Sequence, residues 1–131
     1  MSLSLDLLHR GERLAVYAIV ENGRCELMDF LEELNRQNHA VYAKWMRLLQ
    51  RFSDLPIHNE EKSRHLRDGI FELKSSELRV FYFYAPNTRS AIICTHGFIK
   101  KKQRDQHQIQ RALQLRAKIE SHWRTSGRLH D

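Results

Sequence analysis

The chain has 131 residues, of which 41% are hydrophobic and 29% are charged, with only two prolines and five glycines. This composition suits one modest hydrophobic core and argues against a largely disordered chain. The longest purely apolar run, Leu14 to Val20, is far shorter than the ~20 residues of a membrane-spanning helix. We therefore expect a single domain over residues 1–131, located in the cytoplasm, with no targeting segment and no contact with a membrane.

The formal net charge of +6 is unevenly distributed. Residues 1–95 contain 13 Lys/Arg and 13 Asp/Glu, whereas residues 96–131 contain nine basic and three acidic side chains. The whole excess therefore lies in the last quarter of the chain. A localised basic segment favours a polyanion or an acidic protein as partner, although a solvated helix face carries similar charge.

The first half of the chain predicts one strand followed by two helices. The strand spans Leu14 to Val20, where Val, Tyr and Ile are typical of β-structure. Apolar residues at helical spacing predict a helix over Glu26 to Gln37 and a second one from Asn38, which can cap it, to about Phe52. The connection between them is short, so we expect an antiparallel helical hairpin that ends before Pro56.

The second half predicts three strands and a final helix. A polar loop over residues 57–64 precedes the strands, which are separated by short polar breaks and should pair antiparallel. Their predicted bounds are Leu66 to Lys74, Leu78 to Ala85 and Ala91 to Lys100. The last helix spans about Asp105 to Trp123. The order β-α-α-β-β-β-α predicts an α+β fold with a mostly antiparallel four-stranded sheet and helices on one side.

The hairpin between the second and third predicted strands brings two cations together. A four-residue loop over Ser75 to Leu78 places Lys74 opposite Arg79, with Glu72 on the same face of the sheet. The opposite face carries the apolar pairs Leu73–Val80 and Phe71–Tyr82, so it should pack against helices. Like charges directly opposite each other cost stability. The pair therefore implies either solvated strand ends or a bound anion.

The fourth predicted strand ends in a run of basic residues. Alternation places His96, Phe98 and Lys100 on one face, with Lys101 on the other. The adjoining Lys102 and Arg104 extend the basic run. Lys101, Lys102 and Arg104 flank the strand and are candidates for RNA binding. Cations near a strand end suit a phosphodiester, whose transition state gains negative charge, without requiring a metal ion. His96 is either a structural residue or a general acid or base.

Other catalytic and metal-binding patterns are absent from the sequence. There is no Gly-rich phosphate loop, no GxSxG motif and no HExxH motif, and the eight histidines are scattered. Cys25 and Cys94 are too few for a disulfide framework and too far apart for a zinc motif, so both should be reduced thiols. We expect neither a metal nor a small-molecule cofactor.

Three segments in order resemble the HigB-like, phage-derived branch of the RelE/ParE toxin superfamily. They are Leu66 to Lys74 (LRDGIFELK), Leu78 to Phe83 (LRVFYF) and His96 to Lys101 (HGFIKK). The resemblance covers about residues 12–123 and agrees with the predicted order of elements. It implies the small microbial-ribonuclease-type fold of that superfamily and the toxin component of a type II toxin–antitoxin system.

The resemblance also implies a reaction and a set of roles. The family member binds the ribosomal A site and cleaves mRNA there without a metal, by attack of a ribose 2′-hydroxyl on the adjacent phosphate. By position, Arg79 would contact the scissile phosphate, Lys74 would assist deprotonation and Lys100 would lie near the leaving oxygen. The implied partners are the ribosome, mRNA and a cognate antitoxin, typically a helix-turn-helix protein of the HigA type.

The sequence departs from the branch at several points. Lys74 replaces the usual arginine, no proline precedes the last helix, and no tyrosine follows the fourth strand. Members of the ParE side of the superfamily inhibit DNA gyrase on the same scaffold, and fold does not decide between these activities. A non-enzymatic gyrase inhibitor and a phage-derived relative without toxicity therefore remain alternatives to the ribonuclease.

Overall fold

The computed structural model describes residues 2–57, 62–101 and 106–126, with side chains described as far as Arg124. Within these ranges the chain forms six strands and three helices. Their bounds are β1 (Leu3–Arg10), β2 (Ala15–Glu21), α1 (Glu26–Gln37), α2 (His39–Asp54), β3 (Ser63–Arg67), β4 (Ile70–Ser75), β5 (Leu78–Tyr84), β6 (Ala91–Ile99) and α3 (Gln106–Ser126). The α+β class is confirmed.

The six described strands form one sheet in the order β1-β2-β6-β5-β4-β3. Strands β2 and β6 run parallel, and the other neighbours are antiparallel. The expected four-stranded sheet is therefore wrong in strand number. Two edge strands go beyond the prediction, because the sequence predicts no strand over Leu3–Arg10 and the predicted strand over residues 66–74 is interrupted. Asp68 and Gly69, both with positive φ, form a tight turn between β3 and β4.

The three described helices form close to the bounds predicted from the sequence. Helix α1 has the predicted bounds, and α2 begins directly after Asn38. The Asn38 side-chain oxygen accepts a hydrogen bond from the Val41 amide at 3.3 Å, so it caps α2 as expected. The cap provides a partner for one of the amides that the first turn of a helix leaves unbonded. The last helix also forms where predicted, over Gln106–Ser126.

The helices lie on both faces of the sheet, which corrects the expectation that they share one side. Strand β5 explains the arrangement because it is apolar at successive positions. Val80 and Tyr82 belong to a core formed with α1 and α2, whereas Phe81 and Phe83 belong to a second core formed with α3. A strand that is apolar on both faces needs cover on both sides, and α3 supplies the second layer.

The predicted register of the central hairpin is confirmed. Lys74 pairs with Arg79, and Glu72 pairs with Phe81. The alternate pairs Leu73–Val80 and Phe71–Tyr82 face α1 and α2. The face that carries Glu72, Lys74 and Arg79 is consequently the face covered by α3.

Buried polar contacts hold the edge of this sheet. The Tyr82 hydroxyl lies 2.9 Å from the Ser63 hydroxyl, which ties the edge strand β3 to the core.

Cys25 and Cys94 are free thiols, and burial raises the pKa of Cys94 to about 12. None of the described helices is long and apolar enough to cross a membrane.

Candidate functional site

A cleft of about 260 Å³ lies between the edge of the sheet and the start of α3. Its polar lining includes Arg64 from β3, Glu72 from β4 and Lys100, which directly follows β6. Leu66, Phe81 and Ile109 provide apolar walls. The cleft therefore combines two cations and one carboxylate with an apolar surface, on the face of the sheet where the sequence predicted a basic cluster.

The carboxylate of Glu72 is the buried centre of this cluster. Its side chain is 5% exposed, and its Oε1 atom accepts a hydrogen bond from Arg64 Nε at 3.1 Å. Arg79 Nε lies 3.8 Å from the same oxygen. Burial of an ionised carboxylate is costly unless it is paired, and the two arginines provide that pairing. Glu72 in turn holds Arg64 by a hydrogen bond, whereas Arg79 lies at ion-pair distance from it.

Arg79 is held firmly at the β4–β5 turn. Its Nη1 atom donates to the Ser76 carbonyl at 2.6 Å and to the Leu78 carbonyl at 3.1 Å. The side chain is only 13% exposed. The sequence suggests a strand-end arginine with little packing, and the structure corrects this view: Arg79 bridges the turn to Glu72. Such a guanidinium is preoriented, but it also contributes to the stability of the hairpin.

The lysines predicted for this site lie around the same strand ends. Lys74 is half-buried on β4 and pairs with Arg79 across the ladder. The Lys100 amide donates to the Glu77 carbonyl at 2.7 Å, which fixes the backbone where its side chain enters the cleft. Lys101 is exposed. Lys102 and Arg104 lie outside the described residues.

His96 is buried beneath α3. Its Nε2 atom lies 2.8 Å from Gln108 Oε1, and its Nδ1 atom lies 3.1 Å from the Thr95 hydroxyl. The ring stacks on Phe98 and meets Phe81 edge-on. With the Gln108 oxygen as acceptor, the ring proton lies on Nε2. Burial lowers the pKa of His96 below its usual value, so the ring is neutral near pH 7.

Two polar members of the site were missed by sequence reasoning. The sequence predicts a polar loop at Arg64, although its alternation with Leu66 puts both side chains on the face that lines the cleft. Gln108 carried no local signal, since its contact with His96 depends on α3 covering this face. The alternation of side chains along a strand, extended from Leu66 towards the N-terminus, places Arg64 on the same face as Leu66.

The arrangement suits an anionic ligand. Arg64 and Lys100 line the cleft with Glu72, and Lys74 and Arg79 lie beside it on the same face of the sheet. Within residues 2–57, 62–101 and 106–126, no group of three or more His, Cys, Asp or Glu side chains is placed to hold a metal ion. Cations next to an apolar wall stabilise developing negative charge more strongly than they would in water.

Comparison with known families identifies the family of the chain. The sequence profile described as "Phage derived protein Gp49-like" matches residues 29–117. The chain belongs to this family. The Gp49-like family is RelE/toxin-like, and the match includes α2, the central hairpin, β6 and about half of α3. No curated protein sequence matches the chain.

Proposed function

We propose that this Gp49-like protein is the toxin component of a type II toxin–antitoxin system and acts as a metal-independent, ribosome-dependent mRNA endoribonuclease. One observation carries the proposal: Arg64 and Lys100 line one cleft with Glu72, and Arg79 lies next to the same carboxylate, with Lys74 opposite it on the neighbouring strand. A phosphodiester is the biological anion that such a cluster suits, because its transition state distributes negative charge over several oxygens. Membership of a RelE/toxin-like family supports the same conclusion.

The proposed reaction is an internal phosphoryl transfer. The ribose 2′-oxygen forms a bond to the adjacent phosphorus as the bond to the 5′-oxygen of the next nucleotide breaks, leaving a 2′,3′-cyclic phosphate and a 5′-hydroxyl end. Arg79 stabilises the charge on the phosphate oxygens. The 2′-hydroxyl proton passes to a solvent water molecule, and the charge of Lys74 favours that loss. Lys100 donates a proton to the leaving 5′-oxygen. Lys101, Lys102 and Arg104 bind the RNA backbone through charge.

His96 has a structural role in this proposal. Its imidazole contacts Phe81, Phe98 and Gln108 rather than the open part of the cleft. A general acid or base must come within hydrogen-bond reach of the transferred proton, and a residue covered by α3 requires that helix to move first. We therefore assign the protonation of the leaving oxygen to Lys100 rather than to His96.

A cognate antitoxin is part of the same proposal. A cell that makes an active ribonuclease needs an inhibitor, and an acidic segment suits the cationic cleft near Arg79 and Lys100. We expect a small helix-turn-helix protein of the HigA type whose acidic chain covers the cleft. Association with a charged surface is rapid and sensitive to salt.

One observation favours a second candidate, a non-enzymatic inhibitor of gyrase or of another protein. Arg79 already contacts two carbonyls and Glu72, as expected for an arginine with a purely structural role. A phage-derived relative without toxicity would show the same contacts. In both cases the cluster stabilises the hairpin and takes no part in chemistry.

Induced expression in bacterial cells tests these candidates directly. The ribonuclease predicts growth arrest with new mRNA ends inside translated codons, mapped by sequencing of RNA 5′ ends. The gyrase inhibitor predicts loss of plasmid supercoiling and intact mRNA. Growth without either change supports a relative that has lost toxicity.

A further inference from the structure

A second cavity, of about 730 Å³, lies at the other end of the same sheet edge. It is bounded by the β3–β4 turn, by the segment between β5 and β6, and by the second half of α3. Its lining includes His65, Phe71, Tyr84, Arg89, Arg116 and Glu120. Its volume falls within the usual range of small-ligand sites, about 300–1,000 Å³.

Aromatic rings form a continuous surface in this cavity. His65 meets Phe71 edge-on with ring centroids 5.0 Å apart, and Phe71 meets Tyr84 at 90° and 5.4 Å. The guanidinium of Arg89 lies 4.5 Å from the centre of the Tyr84 ring. His65 and Arg89 are exposed, and the other two are half-buried. Aromatic rings and arginine planes are the groups on which proteins stack unpaired nucleobases.

The charge of the cavity suits one phosphate. Among the described residues that line it, Arg89 and Arg116 are the arginines and Glu120 is the carboxylate. Arg116 donates from Nη1 to the Asp68 carbonyl, and its Nε lies 3.9 Å from Glu120. These contacts hold the guanidinium at the cavity wall. An arginine that is oriented in advance loses less side-chain entropy when it binds an anion.

The edge strand β3 connects this cavity with the cationic cleft. Arg64 and Leu66 line the cleft, whereas His65, the residue between them, lines the cavity. Alternate side chains of one strand point to opposite faces, so a single strand of nucleic acid that crosses β3 can contact both sites. The two sites therefore share one edge strand, whose alternate side chains line them.

We propose that the cavity lined by His65, Tyr84 and Arg89 binds one unpaired nucleotide of a single-stranded RNA, with the base stacked on the aromatic surface and a phosphate at the arginines. The inference rests on the proposed function, because it takes RNA as the substrate. An acidic peptide is the alternative ligand. RNA is favoured because two cations offset by a carboxylate provide little attraction for a polyacidic chain, whereas the aromatic surface matches a base.

Binding can be measured without cleavage. The probe is a fluorescein-labelled, fully 2′-O-methylated RNA hexamer, which lacks the nucleophilic 2′-hydroxyl, and anisotropy is followed at low salt. Arg89→Ala should weaken binding about tenfold, in the range expected for loss of one stacking and phosphate contact. Arg89→Lys, which keeps the charge and loses the planar group, should retain only part of the affinity. Arg47→Ala, on the exposed face of α2, is the matched control for loss of one positive charge.

A crosslink locates the base. A hexamer with one 4-thiouridine should crosslink on irradiation to the peptide that contains His65 or Tyr84, and His65→Ala should weaken binding as well.

Wild-type affinity in both Arg89→Ala and His65→Ala would overturn the proposal, as would an equal loss in Arg47→Ala or the absence of hexamer binding by the wild type. Loss of binding to a polyglutamate peptide in Arg89→Ala, with RNA binding unchanged, would assign the cavity to an acidic partner. Cleavage on ribosomes is scored separately, so failure of the ribonuclease proposal is distinguishable from failure of this one.

Discussion

Glu72 and Arg79 lie diagonally across the β4–β5 ladder, with Arg79 Nε 3.8 Å from the carboxylate oxygen that also binds Arg64. The buried carboxylate orients the guanidinium that the ribonuclease proposal needs. The same contact couples the stability of the hairpin to the candidate site. A substitution at Glu72 or Arg79 therefore alters both the stability of the hairpin and the candidate site. Activity measurements on such variants need a separate measurement of folding.

Arg79→Ala should lower the free energy of unfolding by about 1–3 kcal/mol, because Ser76 and Leu78 lose a donor and Glu72 loses one of its two partners. Arg79→Lys should cost less, since it keeps the charge next to Glu72. Urea denaturation followed by circular dichroism measures both. Arg36→Ala, which removes an exposed pair with Glu33, should change little. Equal stability of Arg79→Ala and the wild type would show that these contacts contribute nothing.

Gly11→Ala should destabilise the fold by about 1–3 kcal/mol through overpacking. An added Cβ would lie 2.5 Å from the Ser53 backbone carbon, which no rotation of a side chain can relieve. Gly97→Ala is the comparison, because its Cβ would meet the Phe30 ring at 3.0 Å and that ring can shift. Thermal melting should rank Gly11→Ala below Gly97→Ala, and the reverse order would contradict the close approach of Gly11 to the Ser53 backbone at the end of α2.

The sequence predicts the central part of the fold for a physical reason. The pairing of Lys74 with Arg79 depends on loop length and on side-chain alternation, both of which are local. The position of α3, in contrast, depends on contacts between residues that are far apart in the sequence. Successive apolar residues Phe81, Tyr82 and Phe83 show that both faces of β5 are buried, but they do not say which helix covers which face. The assignment of all helices to one side failed there.

The edge strands were missed because their patterns are weak. In β1 the residues Leu3, Leu5 and Leu7 alternate as in a strand, but a register shift after Leu7 breaks the pattern, and Leu7 is exposed. In β3 the short segment before Asp68 reads as part of a polar loop. Arg64 was lost from the predicted site for that reason. The contact between His96 and Gln108 required the tertiary arrangement and had no local signal.

Protonation of His96 should destabilise the fold below about pH 6.5. Burial lowers the pKa of His96 in the folded state, so the unfolded chain binds the proton more tightly. Stability is therefore lost as the pH falls from about 6.5 towards the lowered pKa, by up to about 1.4 kcal/mol per pH unit. His96→Gln should show a shallower decline than the wild type in urea denaturation between pH 7.5 and 5. Parallel curves would mean that His96 titrates normally.

The proposed antitoxin should bind in a salt-sensitive manner. Lys100→Ala and Lys101→Ala should each weaken association, with the loss greatest at low salt, where charge attraction is least screened. Calorimetric titration with the product of the neighbouring operon gene, at several salt concentrations, gives the comparison. Lys44→Ala provides a control, since Lys44 lies on α2 and contacts Ser76 rather than the cleft. Affinity that is unchanged over a wide salt range would count against an acidic segment in the cleft.

Cleavage of mRNA on purified ribosomes tests the central claim most directly. The wild type should generate new ends within the A-site codon. It should do so even when EDTA is added in slight excess over the divalent ions that the ribosome does not require. Lys100→Ala should slow cleavage by roughly 10²–10³-fold, the usual cost of removing one transition-state contact, while circular dichroism shows an intact fold. Arg79→Lys should also slow the reaction, without the loss of stability expected for Arg79→Ala. Full cleavage by both folded variants, or no cleavage by the wild type, would contradict the ribonuclease site proposed for this cleft.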